Sequence, residues 1–158
     1  MIFFETLEYL KSGNQRQKDA YQIITENAVF EKLNDFSPLL AGTIPIGIDI
    51  PASDLDIICC YTEQSQFTQH LVSQFQTKSS FCIRKHDNKV ICNFDLPPFE
   101  VEIFGQNIPS KEQNGFQHML IEYEILQREG EDFRQRIIEL KRKGYKTEPA
   151  FALLLNIK

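Results

Sequence analysis

Leu40-Ala41-Gly42-Thr43, the Ile- and Pro-rich run 44–52, and then Ser53-Asp54-Leu55-Asp56-Ile57-Ile58-Cys59-Cys60 form the stretch on which the reading of this chain turns. Asp54 and Asp56 alternate with Leu55 and Ile57, and side chains two apart on a strand share a face. The segment 54–61 is rich in Ile, Leu and Cys, which places it centrally in a sheet. Two acids on one face of such a strand repel each other and lose hydration, so they call for a compensating cation. A second acidic strand follows in Phe99-Glu100-Val101-Glu102-Ile103-Phe104, where both glutamates again share a face. If the two strands are neighbours, three or four carboxylates converge. Such a cluster suits a hard cation, magnesium or manganese, and two ions there suit an in-line phosphoryl displacement.

Outward from this stretch the chain alternates helix and strand signals. Pro38–Gly42 reads as a first strand and Asp54–Tyr61 as a second. Phe81–His86 and Lys89–Asp95 form a hairpin around Asp87-Asn88, which sets Cys82 beside Asn93 and Cys92 beside Ile83. Those two cysteines then face opposite ways and cannot bridge, so the four thiols are expected to be reduced. Phe99–Phe104 is a further strand. Phe67, Leu71 and Phe75 mark an amphipathic helix between strands two and three.

Residues 1–33 read as two helices, the first on Phe3, Leu7 and Leu10, the second capped by Asn14 and carrying Ala20, Tyr21, Ile24, Ala28 and Phe30. Ser110 with Gln113 resembles a capping box before a helix bearing Phe116, Met119, Leu120 and Tyr123. Glu131–Lys143 is helical, Gly144 stops it, and Thr147-Glu148-Pro149 opens a last helix. The expected fold is α/β: a mixed sheet of four or five strands flanked by N- and C-terminal helices. It forms one domain over 1–158, divided as 1–33, 38–104 and 110–157.

Composition narrows the function. The chain has 158 residues, 22 acidic against 17 basic, a net charge of −5 and a pI near 5.2. A duplex-DNA binder needs clustered positive charge and is not expected. No run approaches the roughly 18 apolar residues of a membrane span. The opening Met1-Ile2-Phe3-Phe4-Glu5 matches neither a secretory signal nor a transit peptide, which makes the cytoplasm the default location.

Gly42-Thr43, Gly47, Ser53, Asp54-Leu55-Asp56 and the later acidic strand together resemble the nucleotidyltransferase superfamily, with its DNA polymerase β-like fold. Its pattern is Gly-Ser, about a dozen residues, Asp-hydrophobic-Asp, and a third acid on a later strand. The phrase Thr43-Ile44-Pro45-Ile46-Gly47-Ile48-Asp49-Ile50-Pro51, with Ile103-Phe104-Gly105-Gln106 and Lys146-Thr147-Glu148-Pro149-Ala150-Phe151, is similar to a bacterial family of undefined activity within it. The resemblance implies metal-dependent transfer of a nucleoside monophosphate from a nucleoside triphosphate to an acceptor hydroxyl on a small molecule, a protein or an RNA end. It implies that Asp54 and Asp56 ligate the metals with Glu102 as third carboxylate, Glu100 being the alternative. It implies that Gly42 and Thr43 face the triphosphate, with Ser53 beside the first Asp; Thr43 stands where Ser is usual.

Several residues have a plainer reading beside this one. No Arg or Lys lies between 34 and 77, so phosphate charge would be met by metals, backbone amides and distant residues such as Arg84 or Lys85. Gly47 marks a turn between Pro45 and Pro51. His118 and Glu122 form a surface pair. Lys141-Arg142-Lys143 suits the negative end of its own helix. The alternative function is a catalytically weak nucleotide- or protein-binding module on the same fold, with a phosphoesterase on the same carboxylates as a third reading.

Overall fold

The computed structural model describes residues 2–156. Met1 and Ile157, at the outer ends of the expected 1–33 and 110–157 regions, and Lys158 lie outside the described residues. Five strands form one sheet: β1 (Leu39–Ala41), β2 (Leu55–Cys60), β3 (Cys82–Lys85), β4 (Val90–Leu96) and β5 (Phe99–Gln106). Their order is β1-β2-β5-β4-β3, with β2 and β5 parallel and the other pairs antiparallel. Among the described residues six α-helices flank it: α1 (Gln15–Glu26), α2 (Val29–Lys32), α3 (Gln64–Phe75), α4 (Asn114–Glu129), α5 (Glu131–Arg142) and α6 (Thr147–Leu155). The fold is the mixed α/β sheet expected from the sequence.

Alternation decides which face is buried. Leu55, Ile57 and Cys59 of β2, Val101 and Ile103 of β5, and Val90, Cys92 and Phe94 of β4 point to one side. There they meet Ala20 and Ile24 of α1 and Phe67, Leu71 and Phe75 of α3. Phe75 stacks on Phe94 with ring centroids 4.7 Å apart. Gly105 lets the Phe67 ring lie directly on β5; a Cβ there would overlap that ring. On the opposite face Leu39, Ala41 and Ile58 pack under Phe116, Met119, Ile137 and Phe151 of α4–α6. The helices stop short of β4 on that side, where Asn93, Glu102 and Phe104 are only half-buried. The site lies along this boundary.

The hairpin turns as expected: Lys85 pairs Val90, Cys82 pairs Asn93 and Ile83 pairs Cys92. All four cysteines are free thiols. Asn14 closes a full capping box with Gln17 at the start of α1. Elsewhere the structure departs from the sequence reading. The first N-terminal helix is a 3-10 turn over Glu8–Ser12. The second ends at Glu26, and Ala28 takes a left-handed conformation (φ 51°) before the short α2. Ser110 does not cap a helix. Its hydroxyl donates to the Ser37 carbonyl at 2.7 Å, and α4 starts only after Gln113. His118 pairs not with Glu122 but with Glu148 of α6, at 3.0 Å.

Candidate active site

The parallel pairing of β2 and β5 sets Asp56 directly beside Glu102 and Leu55 beside Val101. The same register carries Asp54 toward Glu100. The four acids therefore occupy one face of two neighbouring central strands. Their electrostatics follow from that placement. The Asp56 carboxyl is pushed up to about 7 by burial, then by repulsion from Glu102 and Asp54, with Lys141 pulling the other way. Asp54 is pushed up to about 6 by burial, by hydrogen bonding with Glu100, and by repulsion from Glu100 and Glu102.

The two glutamates differ in their surroundings. Glu102 Oε1 accepts from Asn93 Nδ2 at 3.3 Å and lies 3.9 Å from Arg84 Nη2. Glu100 is exposed, next to Asp54.

The donor set fits a hard divalent cation. All four groups are carboxylates, and a positive ion between them would relieve the repulsion that helps raise Asp54 and Asp56. Among the described residues no three His, Cys, Asp or Glu side chains form a ready-made coordination shell. The carboxylates are neighbours without closing on one point.

Gly42 ends β1 against this cluster. Its φ is +87°, a conformation costly for any side chain, and a Cβ there would overlap Asp56 Oδ2. Only glycine brings the backbone this close to the carboxylate. Beyond it the loop 43–53 closes on itself. Thr43 Oγ1 donates to Ser53 Oγ at 3.3 Å, Ser53 Oγ accepts from the Ile50 amide at 2.9 Å, and the Ile48 amide bonds the Thr43 carbonyl at 3.2 Å.

Three cations and one amide from distant helices then hold the loop by its carbonyls. Gln17 of α1 donates to Ile44 and Pro45 at 3.0 and 3.1 Å. Arg134 of α5 donates to Ile46. Lys141 of α5 donates to Ile48 at 2.8 Å. Arg16 of α1 donates to Pro51 and Ser53 at 3.2 and 3.3 Å, with its guanidinium over the Phe99 ring. Gly47, read as a simple turn, has φ +73° and lies against the Arg134 guanidinium.

These contacts correct the sequence reading. The loop contains no Lys or Arg, yet it is ringed by cations from elsewhere in the chain. Lys141 does stand in the last turn of its helix, as expected, but it is buried there at 7 % exposure. Its pKa is lowered by burial, opposed by attraction from Asp49, Glu122 and Asp56. Arg84, expected as a distant phosphate partner, stands beside Glu102. Lys85 is exposed on β3. A signal for Lys141 did exist: it follows Phe133 and Ile137 at i+4 and i+8 on the apolar stripe of α5.

The fold that carries these residues is that of nucleotidyltransferases of known structure. Solved structures agree. The Cid1 poly(U) polymerase bound to MgGTP superposes with a TM-score of 0.60 at 10% identity, over 85% of this chain and 46% of that one. A chain of the GLD-2/RNP-8 complex gives 0.60 at 12%, over 95% and 63%. The polymerase core of the RNA surveillance complex TRAMP gives 0.52 at 17%, over 85% and 43%. The present chain thus spans less than two thirds of the length of each. By sequence it belongs to the family described as Domain of unknown function (DUF4269), whose model matches residues 22–158. No functionally curated protein matches it. Among the described residues no helix is long and apolar enough to cross a membrane.

Proposed function

We propose that the protein is a metal-dependent nucleotidyltransferase that moves a nucleoside monophosphate from a nucleoside triphosphate to an acceptor hydroxyl. The observation that carries this reading is the parallel register that sets Asp56 beside Glu102, with Gly42 against the same carboxylate. The fold neighbours support it: Cid1 has been solved with the UTP analogue UMPNPP and is described as an RNA terminal uridylyl transferase.

Asp54, Asp56 and Glu102 would hold magnesium or manganese, with Glu100 at the edge of the set. A cation held there supplies neutralisation of the charge that builds on the phosphoryl group. The chain's own residues do the rest. Gly42 lets the triphosphate approach the backbone, and Thr43 and Ser53 present hydroxyls at the mouth of a loop fixed in place by Gln17, Arg16, Arg134 and Lys141. A carboxylate with raised proton affinity is suited to accept the proton of the attacking hydroxyl.

One observation favours a second reading, a catalytically weak nucleotide- or protein-binding module. Arg16, Arg134 and Lys141 donate to loop carbonyls, and Arg84 faces Glu102, so the cations nearest the loop are already engaged. Incubation with each labelled nucleoside triphosphate and magnesium separates the two. Pyrophosphate release that depends on Asp56 supports transfer. Binding with no release supports the module. Release of orthophosphate or nucleoside monophosphate points to hydrolysis instead.

A further inference from the structure

An open pocket of about 360 Å³ lies against loop 43–53, between the start of α1, the last turn of α4 and the start of α5. None of the four site carboxylates lines it, nor do Gly42, Thr43 or Ser53. Its polar lining includes Asn14, Gln127 and Arg134, and its apolar lining includes Pro45, Ile46 and Tyr123. The charge of this lining runs against that of the chain. The whole sequence has a net charge of −5, yet the pocket lining holds one Arg and no Asp or Glu.

Two nitrogen donors meet over Gly47. A methyl carbon built on Gly47 would lie 2.9 Å from Arg134 Nη1 and 4.0 Å from Asn14 Nδ2. The missing side chain lets both nitrogens flank one point above the backbone. Their other bonds show which hydrogens are left over. Asn14 Oδ1 accepts from the Gln17 amide at 2.9 Å within the capping box, so the oxygen is committed to the helix and Nδ2 is the end left for the pocket. Arg134 gives one N–H to the Ile46 carbonyl and approaches Glu131 Oε2 through Nε at 3.4 Å. A guanidinium has more N–H groups than these two bonds use. The Glu131 side chain is 70 % exposed, so that pair offsets little of the Arg134 charge.

The walls are held from behind. Both ends of the buried Gln17 amide are spent, Nε2 on the Ile44 and Pro45 carbonyls at 3.0 and 3.1 Å, and Oε1 on the Asn14 amide at 2.9 Å. The Tyr123 ring stands edge-on to Phe4 with centroids 5.0 Å apart. The pocket is therefore formed before any ligand enters.

We infer that this pocket binds a small organic carboxylate, its oxygens between Arg134 and Asn14 and its apolar body against Pro45, Ile46 and Tyr123. A carboxylate matches one guanidinium in charge and offers two acceptor oxygens to donors on either side of Gly47. A phosphate dianion brings a second charge that no cation in the lining meets, with Glu131 close by. The volume suits a small organic acid. The inference is independent of nucleotidyl transfer. A ligand held there joins α1 and α5 to the middle of the loop that leads into Asp54 and Asp56, so the pocket is an effector site for that loop.

A series of similar shape and changing charge tests this: benzoate, benzamide, benzylamine and phenyl phosphate, at pH 8 and fixed ionic strength. Binding to the whole chain is read from backbone amide shifts at Gly47 and Gln127. Benzoate should bind about tenfold tighter than benzamide, phenyl phosphate more weakly than benzoate, and benzylamine not at all. Asn14→Asp keeps a capping oxygen for α1 and sets a like charge beside the ligand, so it should cut benzoate affinity tenfold or more. Gln127→Lys, at an exposed helix position, should raise that affinity about 2–5-fold. Bound benzoate should also slow hydrogen exchange at the Ile48 amide, which bonds the Thr43 carbonyl. Equal binding of benzoate and benzamide reduces the pocket to an apolar hollow and overturns the inference. Tighter binding of phenyl phosphate overturns the carboxylate assignment. Absence of a saturable benzoate shift, or a benzoate affinity indifferent to both substitutions, overturns the site. Unchanged exchange at Ile48 with benzoate bound overturns the effector role.

Discussion

Lys141 Nζ lies 2.8 Å from the carbonyl oxygen of Ile48, joining the last turn of α5 to the middle of the loop that leads into Asp54 and Asp56. The contact spans 93 residues of sequence and is almost wholly buried. A buried ammonium is costly unless its charge is met, and here Asp49, Glu122 and Asp56 supply the opposing charge. The C-terminal helices thereby fix the geometry of a loop that has no cation of its own.

Replacing Lys141 with Met keeps most of the packing volume and removes the charge. The Ile48 carbonyl loses its donor, and Asp49 and Glu122 lose their nearest buried cation. The expected loss is about 2–4 kcal/mol of unfolding free energy, the range for breaking one side of a buried charged network. Urea denaturation at neutral pH measures it. A variant as stable as the wild type would show that the contact contributes nothing to the fold.

Gly42→Ala probes the close approach at Asp56. The left-handed backbone alone costs about 1–2 kcal/mol for a residue with a side chain, and the new methyl overlaps Asp56 Oδ2. The carboxylate has to move. Stability should fall by at least that amount, and any Asp56-dependent nucleotidyl transfer should fall more steeply than stability. Transfer that survives while the protein is merely destabilised would place Asp56 outside the reaction.

Glu122 gives the pH dependence. Its carboxyl is raised to about 7 by burial and by repulsion from Glu148, with His118 and Lys141 pulling it down. The native state thus holds the proton more tightly than the unfolded chain. The stability this group contributes is fully present below the unfolded carboxyl value near 4.5 and is lost as pH rises through about 7. Glu122→Gln removes the loss. It should match the wild type near pH 4.5 and exceed it at pH 8 by about 1–2 kcal/mol, after discounting for partial solvent screening. Denaturant midpoints at the two pH values check the sign. A variant weaker than the wild type at pH 8 would mean that Glu122 is held ionised by His118 and Lys141.

How much of this was legible in the sequence depends on the range of each interaction. The alternation Leu55-Asp56-Ile57 and Val101-Glu102-Ile103 states both faces of β2 and β5 locally, and the hairpin register follows from the Asp87-Asn88 turn. The neighbouring of β2 and β5 is not local. It required the resemblance of Gly42–Asp56 to a known pattern. The pinning of loop 43–53 by Arg16, Gln17, Arg134 and Lys141 was invisible, because each donor meets a backbone carbonyl, and every residue type carries one. Lys141 lay on an apolar stripe, but the adjacent Arg142 and Lys143 made a basic run at the helix C-terminus the simpler reading; that placement holds, and the burial of Lys141 was the part not read. Ser110 failed as a cap because Ser37, 73 residues away, takes its hydroxyl.

The last prediction tests the carboxylate cluster without knowledge of any substrate. Asp54, Asp56 and Glu102 repel one another in the absence of a cation. A divalent ion that binds the folded cluster and not the unfolded chain stabilises the native state by mass action. At ten times its dissociation constant, magnesium should add about 1.4 kcal/mol, a rise of about 3–6 °C in Tm for a chain of this size. Asp56→Asn removes one charge and one ligand, and the two effects have opposite signs. In chelator the variant should melt at or above the wild type, because repulsion is relieved. In magnesium its gain should shrink or vanish. A structural ion pair predicts otherwise: the variant would be weaker in both conditions, since its partner's charge is left unmet. Thermal melts of both proteins at pH 8, in chelator and across a magnesium titration, decide between them. A wild type indifferent to magnesium together with a variant weakened in chelator would remove the carboxylate cluster from any metal-dependent chemistry.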